Sequence, residues 1–575
     1  MTDTRLITTG LDESCASQDM INIMILGEWC VATHSSNDFP VAPYHWKDRS
    51  KYNDDSAYIN GVYERFLPLL AASLNDAHNS TLSVRYWRIL AGPWLLFYIQ
   101  AIFDRWESIR CVVDQGSFYS EVSDDDVLKF LSRDTWDFVD ISRQDEWNHI
   151  VFREVMKKFR SIKLNPVFKP LDHNCFQRTK NSKIKNIFSD YMFKMLSIAS
   201  RFFIWPGRAL VFRAPNFFLK NRSRSLFGRI IWRLQDYLYN HMSLLSDKGP
   251  SDWRYQDLTW HTENSVEEFM VEMLPQFIPN AFLEDFKIIA ERAKNSSYPQ
   301  KPSKILTSNS VYFNEMFKFW CAAQVERGTP LFIYQHGGGY GAQKIFSNES
   351  HELEIADKFI SWGWSKHGSN VEPFGYYRPT RQRKANNNND QVLVVMTGLP
   401  RYSHKLCSEP QSGNFKSYLT DQEVFLKLLN KKIRRNIIIR SPQEDYGWNT
   451  KKRIGLIENI DMIDDGVQDI NLLYISSRVV IHSNNSTTFI ETMANDIPTL
   501  LFLNPKHFEI RKEAEEVYKS LSDAEILHYT PESLSLFLNK NINKIDEWWM
   551  SETTRSAVSK FTRMFCMDEK GKILQ

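Results

Sequence analysis

The sequence predicts an α/β protein with parallel sheets in two domains, and three observations carry that prediction. From Gln391 onward, short β-branched runs alternate with amphipathic helical stretches. Such alternation means βαβ crossovers and a parallel sheet covered on both faces. Before that point, RLITTG, INIMILG, KILTSNS, PLFIYQ and KFISW read as a second set of strands. Between the two regions, RPTRQRKANNNND at 378–390 is polar, charged and asparagine-repeating, the composition of an exposed linker.

In the C-terminal region the elements follow in a regular order. QVLVVMTG is a strand, DQEVFLKLLNKK a helix, RNIIIRS a strand, KKRIGLIE a helix and NIDMID a short strand. Then come helix DINLLYISS, strand RVVIHS, helix TTFIETMAND, strand PTLLFL, helix FEIRKEAEEVYKSLSD, strand EILHY and helix PESLSLFLNKNI. Residues 391–540 are thus expected to form a doubly wound, Rossmann-like domain, with 541–575 as a helical tail. Residues 1–377 are expected to form an α/β domain whose sheet is interrupted by helical insertions at about 57–112 and 120–290. Within the first, ILAGPWLLFYIQAIF falls short of the ~20 residues that span a bilayer and reads as a buried helix. The second mixes helices with polar loops that the pattern does not order into a sheet.

Composition narrows the function classes. With 42% hydrophobic and 24% charged residues the chain is globular, and its formal net charge of +2 excludes a uniformly basic nucleic-acid coat. Charge is concentrated locally at 178–233, where every charged residue but Asp190 is basic and aromatic rings are interleaved. That segment reads either as a surface for anionic lipid or an anionic polymer, or as a solvated basic face over an aromatic core. No recognition motif accompanies it, so nucleic acid is not expected. The seven cysteines are scattered and never spaced as CxxC, which points to reduced thiols in a cytosol rather than a disulfide framework or a zinc ribbon. MTDTRLITTGLDES shows no secretory pattern, so a cytoplasmic location is expected, peripheral to the inner face of the membrane if 178–233 binds lipid.

RVVIHSNNSTTFIETMANDIPTLLF, residues 478–502, is the most informative stretch for chemistry. A strand ends at His482, a polar turn follows, and a helix begins near Thr488. Ligands of open α/β sheets bind at the carboxyl ends of strands, and a helix N-terminus offers unpaired N–H groups to phosphate. Ser483, Asn485, Ser486 and Thr487 are therefore candidate phosphate ligands. The alternative is that Thr488 and Glu491 form a T-x-x-E capping box with the polar run as its lead-in. Two further loops belong on the same edge. LPRYSHK carries Arg401, His404 and Lys405, and Arg440 ends the strand before SPQEDYGW. Basic groups converging on a helix N-terminus suit a nucleotide's phosphates.

YQHGGGYG, residues 334–341, ends another apolar run. GGGYGA fits G-x-G-x-x-A with Asp357 about 20 residues on, but QKIFSNES has no apolar helical face and Asp357 precedes the next strand, so a dinucleotide cofactor is not expected. The better reading puts His336 at the carboxyl end of a strand in the first domain, with Gln335, Gly337, Gly338, Gly339 and Tyr340 as backbone lining a cleft. With an unperturbed pKa near ~6.5, His336 could accept a proton from an attacking hydroxyl or donate to a leaving phosphate. The plain alternative is a structural histidine before a glycine turn. No DxD or His/Asp cluster stands out, so neither metal nor cofactor is expected.

LGEWC, YHWKDR, YWRILAGPW with FDRW, YQHGGGYG, HELEIADKFISWGW, LPRYSHK, EDYGW, NNSTTFIETMANDIPTLLF and DEWW stand here in one order. In that order they resemble a family of bacterial transferases assigned to surface-carbohydrate, or O-antigen type, biosynthesis. The resemblance runs from about residue 5 to 565, mainly without the middle insertion. More distantly, the QHG box and the S/T-rich turn with its following Glu are similar to those of GT-B capsule glycosyltransferases and glycerol-phosphate polymerases. The resemblance implies a GT-B-like fold, two Rossmann-type domains facing a cleft. It implies a glycosyltransferase that moves a sugar from a nucleotide-activated donor to a cell-surface glycan or lipid-linked acceptor. His336 would be the catalytic base, Ser483, Ser486, Thr487 and Thr488 would hold donor phosphate, and Glu491 would contact the ribose. The turn HSNNST departs from the pattern, with His482 and Ser483 in place of an aromatic-flanked threonine. The alternatives are a polyol-phosphate transferase of glycerophospho type on the same fold, or a non-catalytic membrane-surface scaffold.

Overall fold

A computed structural model describes residues 4–10, 22–30, 39–167, 210–212, 250–296, 298–376, 390–460 and 462–568. The linker expected at 378–390 lies outside these residues except for Asp390, and so does the basic segment 178–233 except for the backbone at 210–212.

The N-terminal strands are β1 (Thr4–Ile7), β2 (Ile23–Ile25), β3 (Phe118–Ser123) and β4 (Ile162–Val167), which form a parallel sheet in the order β2-β1-β3-β4. A second sheet contains β5 (Leu210–Phe212), β6 (Ile305–Thr307), β7 (Leu331–Tyr334), β8 (Lys358–Ser361) and β9 (Val371–Pro373), in that order. The single interrupted sheet expected for this region is thereby corrected. RLITTG and INIMILG pair with β3 and β4 instead of joining KILTSNS and PLFIYQ. The signal was weak because β4, IKLNPV, is an edge strand, where a proline and polar side chains are tolerated and an apolar run is not required.

The third sheet holds β10 (Val392–Val395), β11 (Ile437–Arg440), β12 (Met462–Asp464), β13 (Val479–His482), β14 (Thr499–Phe502) and β15 (Leu527–His528). All its pairings are parallel and its order is β12-β11-β10-β13-β14-β15. Each strand read from the sequence is present, and their order is that of a doubly wound dinucleotide fold. Its topological switch point lies between β10 and β13. β10 is apolar and buried at all four positions because it runs through the sheet's centre. Leu393 and Val395 of β10 pack with Ile438, Val480, Leu473, Tyr474 and Ile497 in one core.

Packing divides the chain into two units. One comprises Met1–Leu26, Asp54–Tyr334 and Ser350–Phe359, the other Gly27–Asn53, Gln335–Glu349 and Ile360–Gln575. In the first, helix Gly92–Val113 is buried along nearly its whole length, as its apolar run predicts. Its charges stay inside because they are paired: Arg105 bonds Asp104 at 2.8 Å, Asn148 Oδ1 at 2.8 Å and the Ser142 carbonyl at 3.3 Å. No helix among the described residues is long and apolar enough to cross a membrane.

In the second unit, helix Glu552–Phe565 of the tail seats Phe561 and Phe565 against Phe489 and Tyr518. Gly27–Asn53 joins this unit by an aromatic cluster of Trp29, Tyr44, Trp46, Tyr52 and Tyr402, and by the Tyr52 hydroxyl donating to the Cys407 carbonyl at 2.7 Å. The sequence reading placed the QHGGGYG box in the first domain. By packing, Gln335–Glu349 belongs with the C-terminal sheet, for a reason that lies in the glycines.

Candidate active site

His336 follows β7 by two residues, and the side chain before it fixes the turn. Gln335 Oε1 accepts from the Trp362 N–H at 3.0 Å and from Trp364 Nε1–H at 2.9 Å, while its Nε2 donates to the Gly337 carbonyl at 2.9 Å. The Tyr340 hydroxyl lies 3.3 and 3.4 Å from the two ring nitrogens of His336, with the rings edge-on at 5.4 Å. His336 is half-buried. Loss of solvent, with the Lys405 charge nearby as a smaller cause, pushes it down to about 4, so at neutral pH the imidazole is uncharged.

The glycines bring this box onto the polar turn after β13. The Gly338 N–H donates to Thr487 Oγ1 at 2.9 Å. A Cβ on Gly338 would stand 2.3 Å from the Ser486 carbonyl carbon and 2.5 Å from the Thr487 nitrogen, so only glycine lets the two backbones touch. The contact falls at the start of helix Thr487–Ala494, whose first N–H groups have no partner within the helix. Ser486, Thr487 and Thr488 are all half-exposed there. Ser486 is the N-cap residue, its side chain making no cap bond but donating to Asn484 Oδ1 at 2.8 Å. The T-x-x-E capping box does not form. Helix entry falls before Thr488, and Glu491 is buried with its carboxylate accepting from the Tyr474 hydroxyl at 3.1 Å.

Other sequence-predicted ligands are already committed within the fold. Ser483 donates to the Val395 carbonyl at 3.0 Å and shares a 2.6 Å hydrogen bond with the Tyr418 hydroxyl, which ties β13 to β10 beneath the turn. Asn485 is buried between Gln343 Nε2 at 3.2 Å and the Tyr518 hydroxyl at 3.3 Å. Arg440 pairs with Asp464 and donates to the carbonyls of Gln468 at 2.7 Å and Gly466 at 3.1 Å. Because β11 lies one strand from the switch point and its end faces β12, Arg440 braces that edge and leaves the candidate phosphate group. Arg401 donates to the Trp29 carbonyl at 2.9 Å and lies against Gly447.

What remains together within one unit is His336 with Gly337 to Tyr340, and Ser486, Thr487 and Thr488 at the helix start, with Lys405 near enough for its charge to act on the imidazole. Sequence reasoning missed the polar groups behind the box. Gln343, Glu349, Glu409 and Arg511 hold its far end, through bonds that include Gln343 Nε2 to Glu409 at 3.0 Å. Arg511 escaped notice because FEIRKEAEE reads as one helix. In the structure the helix begins only at Glu515, and Ile510 instead bridges Gln343 in antiparallel fashion.

Residues 4–575 match the family model "LIC12162 family transferase". A comparison with curated proteins finds no match. Among solved structures the chain is similar to Acinetobacter baumannii MurG, with 15% identity over 48% of this chain and 80% of that one, at a TM-score of 0.29. It is also similar to TarM, with 9% identity over 45% of this chain and 54% of that one, at a TM-score of 0.28. A third is the spinosyn rhamnosyltransferase SpnG complexed with spinosyn aglycone, with 11% identity over 48% and 75% of the respective chains and a TM-score of 0.27.

Proposed function

The chain belongs to the LIC12162 transferase family, and from that premise we propose a metal-independent glycosyltransferase of GT-B type. It takes a sugar from a nucleotide-activated donor to a cell-surface glycan or lipid-linked acceptor, in the cytoplasm or at the inner face of the membrane. One observation carries the reading. The Gly338 to Thr487 hydrogen bond joins the histidine box to a helix N-terminus beside the switch point of a doubly wound sheet.

The donor's phosphates would sit at the start of helix Thr487–Ala494, on its N–H groups and the hydroxyls of Ser486, Thr487 and Thr488. Lys405 would offset their charge. A histidine held at about 4 is a poor proton acceptor at neutral pH, but its neutral ring still offers an N–H donor. A phosphate arriving beside it favours the charged form and raises its pKa, so the imidazole becomes the group that stabilises the leaving phosphate as the glycosidic bond breaks. The second reading is a base for the acceptor hydroxyl, for which the ring is already in the unprotonated form although its low pKa makes it a weak acceptor.

A thermal-shift screen of UDP-, GDP-, TDP- and CMP-activated sugars tests the function, since a ligand at a hundred times its Kd stabilises by roughly 2.7 kcal/mol. The expected result is stabilisation by one nucleotide class, with release of the free nucleotide on transfer. No stabilisation by any member would favour a scaffold at the membrane surface. New phosphorus on the acceptor would identify the polyol-phosphate transferase. His336→Ala separates the two roles of the histidine: weakened nucleotide binding marks the phosphate contact, whereas lost turnover with binding intact marks the base. A variant that binds and transfers as before would remove His336 from the reaction.

A further inference from the structure

Behind the histidine box lies an ion pair that the catalytic reading does not use. Glu349 stands in the first turn of helix Ser347–Ile355, and Arg511 lies in the loop after β14. Their side chains are 6% and 17% exposed. Arg511 Nη2 lies 2.9 and 3.0 Å from the two carboxylate oxygens, and its Nε donates to the Gln343 carbonyl at 3.0 Å. The same carboxylate accepts the Gly341 N–H at 2.7 Å. The backbone runs in parallel with these bonds: Arg511 N–H donates to the Ala342 carbonyl at 2.9 Å, and Lys344 N–H to the Glu509 carbonyl at 3.1 Å. Gly341 has a φ of +70°, a Cβ there would stand 2.3 Å from Cγ of the Trp364 indole, and the Arg511 guanidinium sits 5.8 Å from that ring.

The segment 335–344 is held at Gln335 on Trp362 and Trp364, at Gly338 on Thr487, at Gln343 on Glu409 and Asn485, and from Gly341 to Lys344 on Glu349 and 509–511. The last of these anchors contains the Glu349–Arg511 ion pair. A buried ion pair adds little net stability over apolar packing, but its direction-specific hydrogen bonds admit one geometry. Glycine-rich backbone has many geometries open to it. An anchor of this kind, five residues after His336, selects the conformation that keeps the imidazole at the helix N-terminus.

We propose that Glu349 and Arg511 are a positioning pair for His336, setting the QHGGGYG loop against the start of helix Thr487–Ala494. The proposal rests on the reading of His336 given above, and its test has a readout that does not need the substrate. In full-length protein labelled with ¹⁵N-histidine, the His336 imidazole is identified by its loss in His336→Gln and titrated by NMR. Arg511→Gln and Glu349→Gln are expected to raise its midpoint by one unit or more, as the loosened loop admits water. Arg511→Lys, which keeps the charge, is expected to give less than half that shift. His482, buried in the same unit and bonded to Thr492 Oγ1 at 3.0 Å, is expected not to move and reports any general loosening. An unchanged His336 midpoint in both glutamine variants overturns the proposal, as does an equal shift of His482.

Once the screen has supplied a donor, turnover adds a second arm. Arg511→Gln is expected to lower kcat/KM for the donor at least tenfold, and to add nothing in a His336→Ala background. Full additivity in that background overturns the positioning role. Intact transfer by His336→Ala alone overturns the catalytic reading instead, and the titration still decides whether the pair positions the loop.

Discussion

Replacing Gly338 by alanine is the sharpest perturbation of the candidate site. The added methyl would fall 2.3 Å from the Ser486 carbonyl carbon, 2.5 Å from the Thr487 nitrogen and 2.7 Å from the Ser486 oxygen, all backbone atoms that no rotamer change can move. Separating them to ordinary contact needs more than an ångström. That strain costs about 1–3 kcal/mol, typical of overpacking. The same movement stretches the Gly338 N–H bond to Thr487 Oγ1, at a further cost of about 1 kcal/mol. Gly337 is the internal control, since its Cβ would meet Thr487 Oγ1 at 3.4 Å and Tyr340 Cε2 at 4.0 Å, both ordinary contacts. Gly338→Ala is thus expected to melt on the order of 5 °C lower than the parent chain and to lose most of its nucleotide-induced stabilisation, with Gly337→Ala close to the parent in both. A thermal-shift series with and without the stabilising nucleotide measures both effects. Should Gly338→Ala melt and bind like Gly337→Ala, the apposition of the box and the helix start is not what holds the site.

Thr487→Val removes the acceptor for Gly338 N–H and one candidate phosphate ligand, and is expected to weaken nucleotide binding in the same thermal-shift series, whereas Thr487→Ser retains both. Lys405→Met is expected to raise the His336 midpoint in a ¹⁵N-histidine titration, by less than hydration of the site would, because lost solvation outweighs the lysine charge. Arg440→Ala is expected to cost roughly 3 kcal/mol in denaturant unfolding by leaving Asp464 unpaired, with donor KM unaltered. Burial holds His482 near 3 and His149 and His507 near 4, against ~6.5 in the unfolded chain, so between those values the unfolded state binds more protons. The histidine contribution to stability is therefore complete above pH ~6.5 and falls as pH drops towards the folded midpoints, which melting at pH 7.5, 6 and 4.5 checks as a progressive decrease.

The two ends of the fold differ in how much the sequence revealed, for physical reasons. In the C-terminal sheet the central strands β10, β11 and β13 are short β-branched runs and strands alternate with helices, so local pattern alone marked the strands and their crossovers. With them came the placing of Ser486, Thr487 and Thr488 at a strand end. In the N-terminal region β3 alternates weakly and β4 is a polar edge strand, so nothing local marked them as partners of β1. A strand order is a set of long-range pairings, and side-chain period does not encode them. The same division runs through the candidate site. Composition and spacing pointed to His336, the glycines and the S/T-rich turn as separate boxes. Only the tertiary structure decided that Gly338 serves contact with Thr487, that Arg440, Ser483 and Asn485 are spent on partners inside the sheet's edge, and that Glu349 and Arg511 stand behind the histidine. Those outcomes depend on which atoms meet across long stretches of chain, 149 residues in the case of Gly338 and Thr487, and no single stretch of sequence carries that distance.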